Sequence, residues 1–310
     1  MPKVTIIIPN YNHAQFLVQR LDSIYNQTFK NWEAIIIDDA STDKSLKVIE
    51  RYLDEKPNFR VKQFIKNKIN SGSGYKSWQK GIALADTEFI WIAETDDYCT
   101  PTFLDVMIKS IEINKKVSLC FSSSNYVNVN GDFLYNSLIR TLDLDVLENE
   151  YAIFNGKKLM DRLPFNTYII NGSSVVFRNP KAKIPKEIFF HKQNSDIFLW
   201  TYLLDDSYFI FNNSLLNYFR QHNSSTTAQN NKLRKKEIYL ENIEYLNYFG
   251  QANKYKTLID HYIKYYIWNN KKSVFKVSFL KKLKTKKYII PYYYLSLLKF
   301  IIHKLLYYGK

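Results

Sequence analysis

Glycine is scarce and arrives late: the 310 residues hold only 8, and the first is Gly72. Dinucleotide and P-loop phosphate cradles both need glycines in the turn after a first strand. Neither can follow the opening apolar run Val4–Ile8. Two cysteines, Cys99 and Cys120, build no disulfide framework and no cysteine zinc site, which suits a reducing compartment. With 8 prolines and no repeat at solenoid periods, fibrous and linker-rich classes also fall away.

Long apolar runs are missing too. Val4–Ile8 ends at Pro9 and Asn10, too short for the hydrophobic stretch of a secretory signal, and reads as a first strand. Tyr288–Leu298 lies between Lys287 and Lys299 and is broken by Pro291, well short of the roughly 20 residues that span a bilayer. No transmembrane helix is expected. The last absence is of acid: residues 261–310 contain 12 lysines and no Asp or Glu.

What is present is 46% hydrophobic and 24% charged, enough for one large domain with an appendage. The net charge of +15 is uneven, because residues 231–310 carry 18 basic and 4 acidic side chains. The remainder is nearly neutral. A boundary near 228 separates a body (1–228) from a basic, aromatic-rich helical tail (229–310).

The first half alternates in period. Val4–Pro9, Trp32–Ile37, Phe59–Ile65 and Glu88–Ala93 read as strands; Ala14–Asn26, a segment capped by Thr42 or Asp43 and ending at Leu53, and Gly74–Leu84 read as helices. Strands apolar on both faces and separated by helices imply a mostly parallel sheet covered on both sides, with a crevice at its carboxyl edge. Further on, Pro101–Ile113 reads as a helix, Val117–Phe121 as a strand and Asn125–Tyr135 as a hairpin around Asn130-Gly131. Tyr168–Arg178 reads as a strand, Ser195–Leu204 as a helix and Tyr208–Arg220 as a pair of short strands. Residues 140–165 give no clear pattern.

Polar and acidic residues stand at the strand ends: Pro9-Asn10-Tyr11-Asn12, Asp38-Asp39-Ala40-Ser41-Thr42-Asp43 and Glu94-Thr95-Asp96-Asp97. A carboxylate there can accept from a pyrimidine N3–H or a ribose hydroxyl, and Tyr11 offers a stacking face. Adjacent carboxylates suit one ribose contact and one Mg²⁺ or Mn²⁺, which takes oxygen ligands and bridges diphosphate oxygens. The pattern points to a nucleotide-diphosphate site. Asp38 and Asp43 read as structural hydrogen-bond acceptors of the turn. Asp143-Leu144-Asp145 lacks a buried strand before it, and Asp205-Asp206 follows a helix, so both are discounted. His13, His191, His261 and His303 show no ligand spacing, and the cysteines read as small buried residues.

The segments VTIIIPNYN (4–12), SIYNQTF (23–29), WEAIIIDDASTDKS (32–45), NSG…WQKGIALADTEFIWIAETDDY (70–98) and NSDIFLWTYLL (194–204) resemble, in order and at family spacing, the family 2 glycosyltransferases. These are inverting enzymes of the GT-A fold, a Rossmann-like α/β architecture. The resemblance covers about the first 220 residues. It implies that Pro9 and Tyr11 flank the nucleobase, that Asp39 binds it, that Asp96 touches the ribose and that Asp97 ligates the metal. Glu94 stands where the family's metal motif has its first Asp. Lys76 lies in a stretch where the family often places a basic donor contact. Asp196 matches the general-base position, although an Asp at a helix start is otherwise an ordinary N-cap. His222 resembles the family's closing histidine and would reach diphosphate or metal.

The tail adds a second expectation. On a helical wheel Leu295–Leu306 gathers Ser296, Lys299 and His303 on one side and Leu295, Leu298, Ile302, Leu305 and Leu306 over much of the rest, as an in-plane membrane helix does. Eight preceding lysines between Lys271 and Lys287 would each add roughly 1 kcal/mol of attraction to anionic lipid. A helical bundle with its lysines in water is the alternative. Lysine outweighs arginine and no nucleic-acid motif occurs, so nucleic acid is not an expected partner.

The expected function is therefore metal-dependent, inverting hexosyl transfer from a nucleotide-diphosphate sugar, with UDP-sugar favoured, to a hydroxyl of a lipid-linked surface glycan such as O-antigen or capsule. The expected place is the inner face of the cell membrane. The rivals are a lipid- or RNA-binding adaptor on an inactive GT-A scaffold and a sugar nucleotidyltransferase, which ordinarily needs a glycine-rich basic loop after strand one.

Overall fold

The computed structural model describes residues 1–181, 184–222 and 232–262, with positions 294, 295, 298, 299 and 302 beyond them. The chain divides into two units, Met1–Asn230 and Asn231–Lys310.

The first unit opens as the alternating pattern requires: β1 (Val4–Asn10), α1 (Ala14–Tyr25), β2 (Trp32–Asp38), α2 (Ser45–Glu55), β3 (Val61–Lys66), α3 (Gly74–Leu84) and β4 (Phe89–Ile92). It continues through β5 (Tyr98–Cys99), α4 (Phe103–Glu112), β6 (Val117–Val127), β7 (Phe133–Asn136), β8 (Tyr151–Asn155) and α5 (Lys157–Met160), then β9 (Val175–Arg178), α6 (Ser195–Leu204) and β10 (Tyr208–Arg220). Among the described residues these strands form one sheet in the order β3-β2-β1-β4-β9-β6-β10-β5, with β7 on β6 and β8 on β10. β3, β2, β1 and β4 run parallel, β10 runs parallel to β6, and the antiparallel β9 joins the two halves. The expected mixed α/β architecture, a mostly parallel sheet flanked by helices, is the one observed.

Register sets the site. Asn10 at the end of β1 lies beside Asp38 at the end of β2, and Ile7 lies beside Ile92 at the end of β4, so three polar loops, two of them acidic, leave the sheet at one edge. Two-residue β5 then pairs Tyr98 with Tyr218 and Cys99 with Asn217 of β10, which carries the loop after β4 to the end of that last strand.

Three elements differ from the sequence reading, each at a run of buried polar residues. β6 runs on through Ser122, Ser123 and Ser124, each at most 2% exposed, because Asn213, Asn217 and Ser137 hydrogen-bond within that stretch. β10 is one 13-residue strand instead of two, and Asn212-Asn213-Ser214 is a register irregularity within it rather than a turn. Tyr168–Arg178 is strand only from Val175, after a single 3₁₀ turn at Gly172–Ser174. The hairpin around Asn130-Gly131 is present between β6 and β7, with Gly131 at φ 94°.

The second unit contains α7 (Lys232–Tyr248) and α8 (Tyr255–Tyr262), whose Ile243, Tyr245, Leu246, Tyr255, Leu258 and Ile259 are buried. Most of the amphipathic segment expected over 295–306, and the lysine cluster before it, lie outside the described residues. Among the described residues no helix is long and apolar enough to cross a membrane.

Helix α3 approaches β1 closely because residue 81 has no side chain. A Cβ on Gly81 would stand 2.4 Å from Cγ2 of Ile7, a β-branched residue locked in the central strand. Gly81→Ala is expected to lower stability by about 1–3 kcal/mol, read as a shift in the urea midpoint at unchanged slope.

Candidate functional site

The loop after β1 and the loop after β2 are laced together. Asn12, at φ 55°, accepts from the backbone N–H of Thr42 (2.8 Å) and Asp43 (3.2 Å), and its own N–H donates to Ser41 Oγ at 2.9 Å. Asp38 accepts from Asn10 Nδ2 at 2.7 Å and from the Ser41 N–H at 2.9 Å, so it holds the turn. Asp43 accepts from the N–H of Ala14 (3.0 Å) and Ser45 (2.8 Å), capping the starts of α1 and α2. Ala40, at φ 60°, sits in the left-handed region that disfavours a side chain, a backbone held by its surroundings between Asp39 and Ser41.

Asp39 is buried and points the other way. Its carboxylate accepts from Asn67 Nδ2 (2.7 Å), from the Ser71 N–H (3.0 Å) and from Ser71 Oγ (2.7 Å), which fixes the loop after β3. Lys76, in the first turn of α3, donates from Nζ to the Ser71 carbonyl at 2.8 Å. Tyr11 is 44% exposed, and the Pro9 carbonyl accepts from Thr95 Oγ1 at 3.2 Å. These residues line one edge of the sheet.

The loop after β4 carries the charge. Asp96 Oδ2 lies 3.1 Å from His222 Nε2, and one ligand atom each from His13, Asp96 and His222 lies within 4.8 Å of the others. Asp97, 2% exposed, lies beneath: its Oδ1 accepts from the Arg220 N–H at 3.0 Å and its Oδ2 from Asn171 Nδ2. The geometry therefore puts Asp96, assigned to the ribose by resemblance, in the cation-competent cluster. Asp97, assigned to the metal, is engaged with Asn171 and Arg220. Two imidazoles and a carboxylate are a donor set for a divalent cation, and a 3.1 Å separation is close to the edge of a coordination sphere with bonds of about 2.1 Å.

Burial and crowding pull these acids apart in pKa. Burial and the neighbouring Asp97, Asp96 and Asp196 push Glu94 well above the usual carboxylate range. Burial and the Asp96 charge push Asp97 up to about 7, against the opposing Arg20. Burial also works upward on Asp96, but the His222 hydrogen bond and the charges of His13 and His222 bring it below its ordinary value. Burial lowers His13.

Asp196 stands in the first turn of α6, and burial pushes it up to about 6 against hydrogen bonds from the Ile197 N–H and the Tyr75 hydroxyl. Its Oδ1 is buried without a hydrogen-bond partner. That is a lone pair without a structural task, which an ordinary capping Asp would not leave.

The discounted motifs have other work. Asp143 accepts from Arg162 and Tyr168, each at 2.6 Å, and Asp206 is a left-handed turn residue after α6. Both cysteines are buried, and burial pushes the Cys99 thiol up to about 11.

Residues 5–183 match the family described as Glycosyl transferase family 2, which is more than half of the chain. The chain belongs to glycosyl transferase family 2. Among individual relatives, chondroitin synthase of Pasteurella multocida is 30% identical over 136 residues, which is 44% of this chain and only 14% of the synthase. The crystal structure of Staphylococcus aureus TarS 1-349 in complex with UDP-GlcNAc superimposes with a TM-score of 0.63 at 19% identity, over 90% of this chain and 78% of that one. The mannosyltransferase PcManGT of Pyrobaculum calidifontis, in complex with GDP-Man and Mn²⁺, gives 0.55 at 14% identity, over 96% and 87%. At those identities the likeness is one of fold.

Four residues of this family 2 site escape sequence reasoning. Arg20 is fully buried on the apolar face of α1, donates from Nε to the Glu94 carbonyl (2.9 Å) and from NH2 to Ser173 Oγ (2.9 Å), and lies over the Trp91 ring. Arg220 and Asn171 hold Asp97, and His13 joins the cluster despite having no ligand spacing. Only the runs Asn171-Gly172-Ser173 and Arg220-Gln221-His222, polar breaks within apolar strands, mark any of them in the sequence.

Asp97 makes stability depend on pH in a defined direction. Its folded pKa of about 7 lies above the ordinary value near 4, so the native state keeps a proton that the unfolded chain releases. Its contribution is complete at pH 4 and is lost as the pH rises to 7, by at most about 1.4 kcal/mol per unit. Without divalent cation, wild type is expected to lose stability relative to Asp97→Asn between pH 4 and 7; parallel denaturation curves at all pH values would contradict this.

Proposed function

We propose that this family 2 chain is an inverting glycosyltransferase that moves a sugar from a nucleotide-diphosphate donor to a hydroxyl of a surface glycan, with a UDP-linked sugar as the favoured donor. The observation that carries the reading is the pairing, in one crevice, of a cation-competent Asp96–His222 contact with a buried carboxylate, Asp196, whose Oδ1 has no hydrogen-bond partner. The names of the relatives support the substrate class: chondroitin synthase builds a polysaccharide, and TarS was crystallised with UDP-GlcNAc.

In this reading Tyr11 offers its exposed ring to the base, and Pro9 and Asp39 complete that pocket, Asp39 also fixing the Ser71 loop against which Lys76 rests. Asp96 and His222 hold Mn²⁺ or Mg²⁺, which when bound neutralises charge developing on the departing diphosphate. Asp97 supports Asp96 from below. Asp196 acts as general base: its second oxygen is held by Ile197 and Tyr75, and Oδ1 takes the proton of the acceptor hydroxyl. The hydroxyl oxygen then bonds to the anomeric carbon, the bond from that carbon to the diphosphate oxygen breaks, and its electron pair leaves with the nucleoside diphosphate. Attack from the face opposite the leaving group inverts the anomeric centre.

A base with a pKa of about 6 is ionised at neutral pH yet basic enough to accept a proton. Activity is therefore expected to rise with pH and level off above about 6. Asp196→Asn should lower kcat by about 100- to 10,000-fold and leave UDP affinity unchanged, whereas Asp96→Asn should weaken metal-dependent UDP binding. The measurement is transfer from a nucleotide-sugar panel, alongside calorimetric UDP and GDP titration with and without Mn²⁺. An Asp196→Asn enzyme with most of its activity would remove the base assignment; wild type with no metal-dependent nucleotide binding would return the adaptor reading.

The acceptor is proposed to be lipid-linked and the tail to hold the enzyme at an anionic membrane face. Twelve lysines without an acid over 261–310 support this, as do the helical positions Tyr294, Leu295, Leu298 and Ile302, all exposed. Deleting residues 285–310 should abolish co-sedimentation with phosphatidylglycerol vesicles and spare transfer to a soluble acceptor. Unchanged sedimentation would refute the membrane role alone.

A further inference from the structure

We infer that His13 is a third protein ligand of the divalent cation, and that it makes the site prefer a d-block ion such as Mn²⁺ or Co²⁺ to Mg²⁺. The inference rests on the proposed function, in which Asp96 and His222 hold a cation beside the donor diphosphate.

His13 occupies the N-cap position of α1, a place that usually goes to Ser, Thr, Asp or Asn because their short oxygens reach the first free N–H groups. It makes no capping hydrogen bond from its side chain. Asp43 does that work instead, accepting from the Ala14 N–H at 3.0 Å. The imidazole of His13 is thus excused from helix initiation and turns toward the loop after β4.

There we assign its tautomer from a short relay. His13 Nδ1 lies 2.8 Å from Thr95 Oγ1, and Thr95 Oγ1 donates to the Pro9 carbonyl at 3.2 Å. A threonine hydroxyl has one hydrogen, and a carbonyl oxygen can only accept. With that hydrogen directed to Pro9, the Thr95 oxygen accepts from His13, and Nδ1 carries the His13 proton. Nε2 is left with its lone pair. Thr95 is 1% exposed, so no bulk water competes for the arrangement. An acceptor fixing the far N–H of an imidazole is the support commonly found behind a metal-ligating histidine, and here the Thr95 hydroxyl takes that place.

The His13 ring has the right company. The ligand atoms of His13, Asp96 and His222 lie within 4.8 Å of one another, close to the reach of two bonds of about 2.2 Å, and Asp96 and His222 already approach to 3.1 Å. The two imidazole rings meet edge to face, 5.7 Å apart at 85°, so neither covers the other's nitrogen face-on. One carboxylate and two imidazoles change what the site accepts. Mg²⁺ takes oxygen ligands and gives up its water reluctantly, while d-block ions bind imidazole well. A site with Asp96 alone would suit either ion; each imidazole tilts it toward the d-block.

The test uses the full-length chain, stripped of metal and free of nucleotide. Mn²⁺ binding is read from loss of the aqueous Mn²⁺ electron paramagnetic resonance signal, with Mg²⁺ as competitor, and nitrogen coupling to bound Mn²⁺ is read by pulsed methods. Wild type should bind Mn²⁺ with coupling from two imidazoles and resist Mg²⁺ competition. His13→Gln should bind Mn²⁺ at least about tenfold more weakly, show one imidazole, and lose most of its Mn²⁺ over Mg²⁺ preference. Thr95→Val, which keeps the ligand but removes the acceptor that fixes its tautomer, should give a smaller loss of the same kind. Undiminished Mn²⁺ binding and preference in His13→Gln, or a single imidazole coupling in wild type, would overturn the role of His13 while leaving the Asp96–His222 cation in place. Wild type that binds no Mn²⁺, with or without UDP, would overturn the cation reading itself.

Discussion

The guanidinium of Arg220 is the constraint on which the crevice depends. It is 2% exposed, lies between the rings of Phe16 and Tyr98, and donates to the carbonyls of Asp96 (2.8 Å) and Val129 (2.7 Å) and to the side chain of Gln19. Its backbone N–H holds Asp97. One residue at the end of β10 thereby fixes the loop after β4, the hairpin between β6 and β7, and α1. His222 is two residues further along, so the same contacts decide where its imidazole stands. A buried charge that satisfies several carbonyls is costly to strip of any partner, because what remains is an unpaired cation in low dielectric. Such a group determines geometry more than it determines net stability.

The acids around it are tolerated because they do not all carry charge. Asp96, Asp97 and Asp196 sit close enough to raise Glu94, Asp96 close enough to raise Asp97, and burial penalises each negative charge separately. Two routes relieve the crowding. Glu94 and Asp97 retain protons as the pH approaches neutrality, and Asp96 is left ionised beside two imidazoles. Groups of one chemical type are thus driven to different protonation states by position alone, which is the usual way a site acquires both an acid-stabilised scaffold and a free anion. Asp196 falls between, raised but still ionised at neutral pH, and it is the one with an oxygen left over.

Much of the fold is legible in the sequence, and the reason is burial on both sides. Where strands are apolar throughout and helices intervene, as from Val4 to Ile92, periodicity alone places the elements; the observed bounds of α3 and α6 coincide with those read from pattern and caps. Legibility fails where polar residues are buried. Ser122–Ser124 and Asn212–Ser214 read as a strand end and a turn, and Asn171–Ser173 reads as strand where a turn stands, because a pattern along the chain does not contain the partner across the sheet. The site divides the same way. Carboxylates at strand ends are visible, since a polar residue directly after a buried apolar run has left the sheet and stands at its edge. The grouping of Asp96, Asp97, His13 and His222 is not, because it arises where β5, just after β4, pairs with the end of β10, although β10 follows β4 by more than a hundred positions. The resemblance implies the metal for Asp97, and spacing along the chain passes over His13; the neighbours of both are lateral.

A crevice with four acids is an unexpected place for a diphosphate, and that tension explains the rest of the inventory. Arg20 is buried beneath the loop, but its Nε and NH2 are committed to Glu94 and Ser173, and its NH1 is buried without a hydrogen-bond partner. Arg220 is committed to carbonyls. Neither arginine is at the surface where a phosphate would arrive, so their charge acts through the protein, Arg20 holding Asp97 and Glu94 lower than burial alone would. Lys76 donates to the Ser71 carbonyl in the loop after β3. Among the described residues the body of the chain therefore has no preformed anion cradle: no glycine turn after β1 and no exposed arginine pair at Asp96. In the proposed function an anionic donor would enter together with a cation, and the residue types at that edge, one ionised carboxylate flanked by two imidazoles, are those that would receive one.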